Sequence, residues 1–265
     1  MFKTKKINNE VVVPIPTKAV DNRPIRGSDL FPEIYSNIFL CARKKSGKTL
    51  AVSKILKKCA GPDTQIVVFC STINKDPTWE AIEEWAQNKG LSFLRYTSLF
   101  DDDGTNLLKE LIAEMQHDDD EPDENENANF VSIFADEQPS EQPKRKSKFR
   151  SPEWIFILDD LADELRSPII ATFLKKNRHF KAKVIISSQY TNDLMPAAMK
   201  QLDYVLLFKG HDAVKLEQIR KSADLAIPQK DFLDMYQFAT SQPYSFLYAD
   251  VRGGTFRKNF NEMII

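Results

Sequence analysis

Residues 42–49 read Ala42, Arg43, Lys44, Lys45, Ser46, Gly47, Lys48, Thr49, and their types and spacing suit phosphate chemistry. In a G-x-x-x-x-G-K-[S/T] loop, backbone N–H groups converge on phosphate oxygens, the lysine reaches the β and γ phosphates, and the hydroxyl binds Mg²⁺. Gly47, Lys48 and Thr49 stand where that chemistry needs them. Ala42 takes the place of the first glycine, which accepts positive φ; alanine fits only if φ there is negative. A lysine-rich surface turn would share this composition, so the surrounding elements decide between them.

Two further sets of polar groups sit at the ends of apolar runs. "IFILDD" (155–160) places Asp159 and Asp160 after four apolar residues. Asp159 is expected to hold Mg²⁺ beside Thr49, and Asp160 to orient and deprotonate an attacking water. The same pair could instead cap a helix. "KVIISSQY" (183–190) is another buried strand, ending in Ser187, Ser188 and Gln189. Where an extra strand lies between the loop strand and the acidic strand, its tip carries a polar sensor, and Gln189 is the candidate.

These groups need strands to present them. "SNIFLC" (36–41) is a short apolar run that suits a buried parallel strand. "KTLAVSKILKKCAG" follows with Leu50, Val52, Ile55 and Leu56 at helical spacing, so an anion in the loop would meet a helix N-terminus. Strands are expected over 64–72, 92–98, 183–190 and 204–210. Helices are expected over 78–89, 106–116, 169–180 and 213–223. A hairpin turning at Gly253-Gly254 closes the chain. This alternation predicts an α/β fold with a mostly parallel sheet and helices on both faces.

The chain's 265 residues, 42% hydrophobic, suffice for one large α/β domain. No run of 18 apolar residues exists and the N-terminus lacks an apolar h-region, so neither a membrane span nor a secretory signal is supported. Cys41, Cys59 and Cys70 read as core residues of a reducing, intracellular compartment. The net charge of −1 hides a split. Residues 117–150 are low-complexity, acidic and then basic, and read as an unstructured insert dispensable for folding and hydrolysis. The remainder is mildly basic, which permits a polyanion partner. The expected organisation is an extended N-terminal arm over 1–30 and one domain over 31–265 that carries the insert.

Taken together, "NIFLCARKKSGKT" (37–49), "WIFILDD" (154–160) and "FLKKNRHFKAKVIISSQY" (173–190) resemble the genome-packaging ATPases of the FtsK/HerA superfamily, above all those of large eukaryotic DNA viruses, virophages and related elements. The resemblance implies a P-loop NTPase whose Walker A and Walker B strands are separated by the sensor strand. It implies a Mg²⁺-dependent, ATP-driven motor, working as a homo-oligomeric ring, that pushes double-stranded DNA into a capsid. Capsid or portal-like proteins would be its partners, and a virus factory or virion its place. The family's helix ending in Arg-His before the sensor strand matches Arg178-His179. A ring needs a cation from the adjoining subunit, and Arg178 is the candidate, with Arg166 and Arg220 as rivals. Basic clusters at 148–150, 175–176 and 178–183 are candidates to line a pore. Departures from the family are Ala42, Asp160 where many relatives carry glutamate, and the charged insert. A P-loop kinase, a cellular-type translocase, and a nucleotide-gated scaffold with a degenerate loop remain open as alternatives.

Overall fold

The computed structural model describes residues 21–117 and 147–265. Most of the expected arm and most of the charged insert lie outside these residues. The strands are β1 (Asn37–Cys41), β2 (Gln65–Cys70), β3 (Phe93–Tyr96), β4 (Trp154–Asp159), β5 (Ala182–Ser188), β6 (Tyr204–Phe208), β7 (Phe246–Asp250), β8 (Thr255–Lys258) and β9 (Glu262–Ile264). They form one sheet in the order β3-β2-β4-β5-β1-β6-β7-β8-β9. β3 through β6 pair in parallel, and the last three strands add antiparallel. The expected hairpin is β7–β8, and β9 extends it by one strand.

The parallel strands are apolar throughout because both faces of the sheet are covered. Within β1, Phe39 and Cys41 face one core while Ile38 and Leu40 face the other. α1 (Lys48–Cys59) and α2 (Pro77–Gln87) cover the second face through Val52, Ile55, Leu56, Trp79 and Ile82. The first face packs against α3 (Leu107–His117), α4 (Pro168–Lys176), α5 (Pro196–Met199), α6 (Ala213–Ser222) and α7 (Gln229–Ala239). The sequence reading did not anticipate α7. Its signal is present, since Phe232, Tyr236 and Ala239 fall on one helical stripe, and all three are buried.

The described part of the arm is tied to the body by the Ile25–Arg150 bridge, by the Arg150 guanidinium on the Asp21 carbonyl, by Lys58 paired with Asp29, and by the Tyr248 hydroxyl on the Leu30 carbonyl. Beyond the bridge the chain turns at Gly27 and buries Leu30 and Phe31. Cys41, Cys59 and Cys70 are free thiols buried in the core. Burial pushes the Cys41 thiol up to about 12. Among the described residues, no helix is long and apolar enough to cross a membrane.

Candidate functional site

The tips of β1, β5 and β4 lie level with one another. Cys41 pairs with Ser188, and Ser187 with Asp159. Because β5 stands between them, the loop after β1 and the acids after β4 are two strand spacings apart, roughly 10 Å. That gap is spanned by Lys48, the first residue of α1. Its ammonium lies 3.1 Å from an Asp159 oxygen and also pairs with Asp160.

The loop explains the missing glycine. Ala42 is fully buried, and its amide donates to the Ser188 carbonyl at 3.0 Å, which extends the β1–β5 ladder by one residue. Among the described loop residues, positive φ falls instead at Lys45 (63°) and Gly47 (93°). Ala42 therefore keeps ordinary backbone, and the turn is made further along. Gly47 is required where it stands, since a Cβ there would come within 3.0 Å of the Tyr244 ring as well as adopting positive φ.

α1 starts without a side-chain cap and without an acidic residue in its first turn. By contrast, Asp76 caps α2 and Asp212 caps α6. The uncapped start of α1 follows a loop with positive φ at Lys45 and Gly47, backbone of the kind that forms an anion-binding concavity. The Ser46 hydroxyl is buried there with no hydrogen-bond partner. This donor set fits a polyphosphate.

The acids are arranged for a cation. Asp159 is 4% exposed, and burial pushes its pKa up; Asp160 adds to the rise, and Lys48 opposes it. Burial alone would lower the Lys48 pKa, but the charges of Asp159 and Asp160 outweigh it and hold the ammonium protonated. Asp160 sits at φ 51°, with its amide bonded to the Ser187 carbonyl and its carbonyl accepting from the Ser71 hydroxyl. Backbone strain of this kind, on the order of 1–3 kcal/mol, persists where surrounding structure over-determines it. Lys48 neutralises two carboxylates that could otherwise hold Mg²⁺. Thr49, half-buried, follows Lys48 in the first turn of α1.

The other expected residues are distributed as follows. Arg43, Lys44 and Lys45 are exposed on the loop, with Arg43 lying against Gly210 after β6; a Cβ at Gly210 would be 2.8 Å from its Cδ. Gln189 follows β5, half-buried, between the loop and the acids. Arg178 precedes β5 and so emerges at the opposite edge of the sheet, paired with Glu33 at 3.1 Å. Arg220 is clamped by Glu217 and the Ile227 carbonyl. Arg166 follows β4 at the same edge as Lys48, exposed, with its Nε donating to the Asn192 carbonyl. Glu164, the next acid but one after Asp160, is engaged away from Lys48: one oxygen accepts from the Leu99 amide at 2.6 Å and the Ser98 hydroxyl at 3.2 Å.

One part of the basic-cluster expectation is corrected. Lys183, within the 178–183 cluster, is not a surface cation but is 1% exposed. It lies on a strand covered on both faces, donating to the Glu33 carbonyl at 2.9 Å and the Ser36 hydroxyl at 2.7 Å. Sequence reasoning also missed Tyr244. It reaches Gly47 only because antiparallel β7 begins at the edge where parallel β6 ends.

No protein-family model matches the chain. Over 121 residues it is 27% identical to "Uncharacterized protein 075L" of Invertebrate iridescent virus 6, an alignment covering 44% of this chain and 43% of that protein. Solved structures extend the likeness. The genome packaging NTPase B204 of Sulfolobus turreted icosahedral virus 2, in complex with AMPPCP, matches over 85% of this chain and 97% of its own at 18% identity, with a TM-score of 0.52. The DNA-packaging ATPase B204 of Sulfolobus Turreted Icosahedral Virus matches over 84% and 95% at 17% identity, with a TM-score of 0.51. The chain shares the fold of these NTPases. Within that P-loop NTPase fold, the sensor strand β5 lies between the loop strand β1 and the acidic strand β4, as the sequence reading expected. The B204 structure with ATP-gammaS matches over 85% and 96% at 19% identity, with a TM-score of 0.50.

Proposed function

We propose that this chain binds and hydrolyses ATP with Mg²⁺ at the Lys48 edge and uses the energy to move double-stranded DNA into a viral capsid. The observation that carries the reading is the Lys48–Asp159–Asp160 cluster beside the uncapped start of α1. The loop amides, from Ala42 through Thr49, and the Lys48 ammonium would hold the phosphates, and Thr49 with Asp159 would hold Mg²⁺. Bound there, Mg²⁺ supplies charge neutralisation at the phosphate oxygens. Asp160 is the base: its strained backbone aims the carboxylate into the cluster, where it accepts the proton of an attacking water. Gln189, at the tip of the strand between, orients that water.

DNA and capsid enter this reading through the fold shared with B204, described as a genome-packaging NTPase. The opposite edge of the sheet supports a polyanion. A cavity of about 730 Å³ opens there, with Lys175, Arg178, Lys200, Lys221 and Arg252 against Asp203 and Asp224 in its lining. Such cations grip phosphates without reading sequence, as a motor requires. A ring of identical subunits would let a cation from one subunit reach the phosphates held by the next. Arg178 would serve only from a neighbouring subunit, since in its own chain it lies at the far edge. Arg166 is the second candidate, because it is exposed at the Lys48 edge.

The test is ATP turnover with and without linear double-stranded DNA. DNA-stimulated phosphate release is expected. Hydrolysis indifferent to DNA would remove the motor reading and leave an ATPase, and phosphate transfer to a small acceptor would make it a kinase. For the finger, Arg178→Ala subunits mixed with Lys48→Ala subunits should regain activity; a mixture no better than its parts removes Arg178 from the role.

A further inference from the structure

Lys48 reaches from the loop toward β5 and β4, so the terminal phosphate of any nucleotide held there points to that side. The nucleoside end must leave on the other side of β1, over β6 and β7. On that side the wall is built from Arg43, packed against Gly210, and Tyr244, packed against Gly47. Tyr244 lies two residues before Phe246, which pairs with Phe208 at the end of β6, so it stands at the same edge as the loop.

Tyr244 is unusual in two independent respects. The residue is 69% exposed although its ring lies against Gly47 of the phosphate loop. Its backbone also takes φ 61°, a left-handed conformation that bulky residues rarely adopt. The turn is fixed around it, because the buried Ser245 bonds the Gln242 carbonyl through both its hydroxyl (2.6 Å) and its amide (3.4 Å). The fold thus holds an aromatic face open beside Gly47, on the side where a nucleoside leaves the loop.

We infer that Tyr244 is the base-stacking residue of the nucleotide site. The inference rests on reading the Lys48 loop as that site. Every base presents a π face, so stacking of this kind favours nucleoside triphosphates over bare polyphosphate without choosing among bases.

The experiment is titration calorimetry of the full chain with ATP, GTP and inorganic tripolyphosphate, each with Mg²⁺. Tyr244→Ala should weaken ATP and GTP alike by about 5- to 150-fold. Tripolyphosphate should bind as before, and Tyr244→Phe should retain ATP within about twofold, since stacking needs only the ring. Equal losses for ATP and tripolyphosphate would overturn the inference and make Tyr244 a prop for Gly47. Unchanged ATP affinity in Tyr244→Ala would place the base elsewhere. A wild-type chain that binds none of the three would refute the nucleotide site itself, an outcome distinct from either.

Discussion

Lys48, the first residue of α1, and Lys183, near the start of β5, are both buried lysines, one at each edge of the sheet. Burial opposes the charge on both. At the upper edge Asp159 and Asp160 more than restore it, so Lys48 stays charged inside the protein. At the lower edge Lys183 meets neutral oxygens and lies 5.2 Å from the centre of the Phe31 ring. Burial holds its pKa down to about 8. The difference separates a charge held by two facing carboxylates from one tolerated among neutral oxygens. The first edge also carries the strained backbone of Asp160 and the positive φ of Lys45 and Gly47. The second is joined by Asp203, whose carboxyl burial pushes up and which pairs with Arg252 at 2.8 Å.

The comparison breaks most visibly at Asp160. Asp160→Asn should still bind Mg·ATP yet lose turnover by about 10²–10⁴-fold, the usual effect of removing a positioned base. Asp159→Asn should instead weaken Mg·ATP binding. Single-turnover rates beside binding isotherms separate the two, and an Asp160→Asn protein with normal turnover would reassign the base.

Lys183 gives a smaller effect with a defined sign. The folded chain holds it near pH 8 and the unfolded chain near 10.5, so between these values the unfolded state binds more protons and stability rises with pH. Below pH 8 the whole penalty remains. Relative to Lys183→Met, wild type should gain about 3 kcal/mol between pH 8 and 10.5. The core tyrosines and cysteines, pushed upward by burial, are present in both proteins and largely cancel in the difference, Cys59 least completely because it feels the Lys183 charge. Denaturant unfolding at both pH values measures it, and a gap independent of pH would contradict the account. Ala42→Gly should change least. With ordinary backbone at Ala42, glycine only loosens the unfolded chain, lowering stability by about 0.4–1 kcal/mol and altering ATP turnover modestly, as melting curves and rates can show.

Most of the fold was legible in the sequence, and so were the residues of the candidate site, because both rest on local pattern. The runs ending in Cys41, Asp159 and Gln189 identify parallel strands by their continuous apolar character, and the loop announces itself by Gly47, Lys48 and Thr49. The resemblance supplied the strand order that brings Lys48 onto Asp159 and Asp160. What stayed hidden depends on long-range return of the chain. Tyr244 lies in an unremarkable "SQPYS" stretch, and only the antiparallel addition of β7 to β6 carries it to Gly47. Lys183 reads as one more cation in a basic run until β5 is covered on both faces. The exit from β4 hid the fate of Glu164, whose partners Ser98 and Leu99 are distant in sequence.

The central claim is that the Lys48 edge is where ATP is hydrolysed. Mg²⁺-dependent phosphate release by wild type and by Lys48→Ala tests it most directly. Circular dichroism would confirm that each is folded, and Lys48→Arg would retain the buried cation should the alanine protein prove unstable. Steady release by wild type, with both variants reduced to background, is the predicted result. Release by a folded Lys48→Ala protein at the wild-type rate would show that the chemistry lies elsewhere.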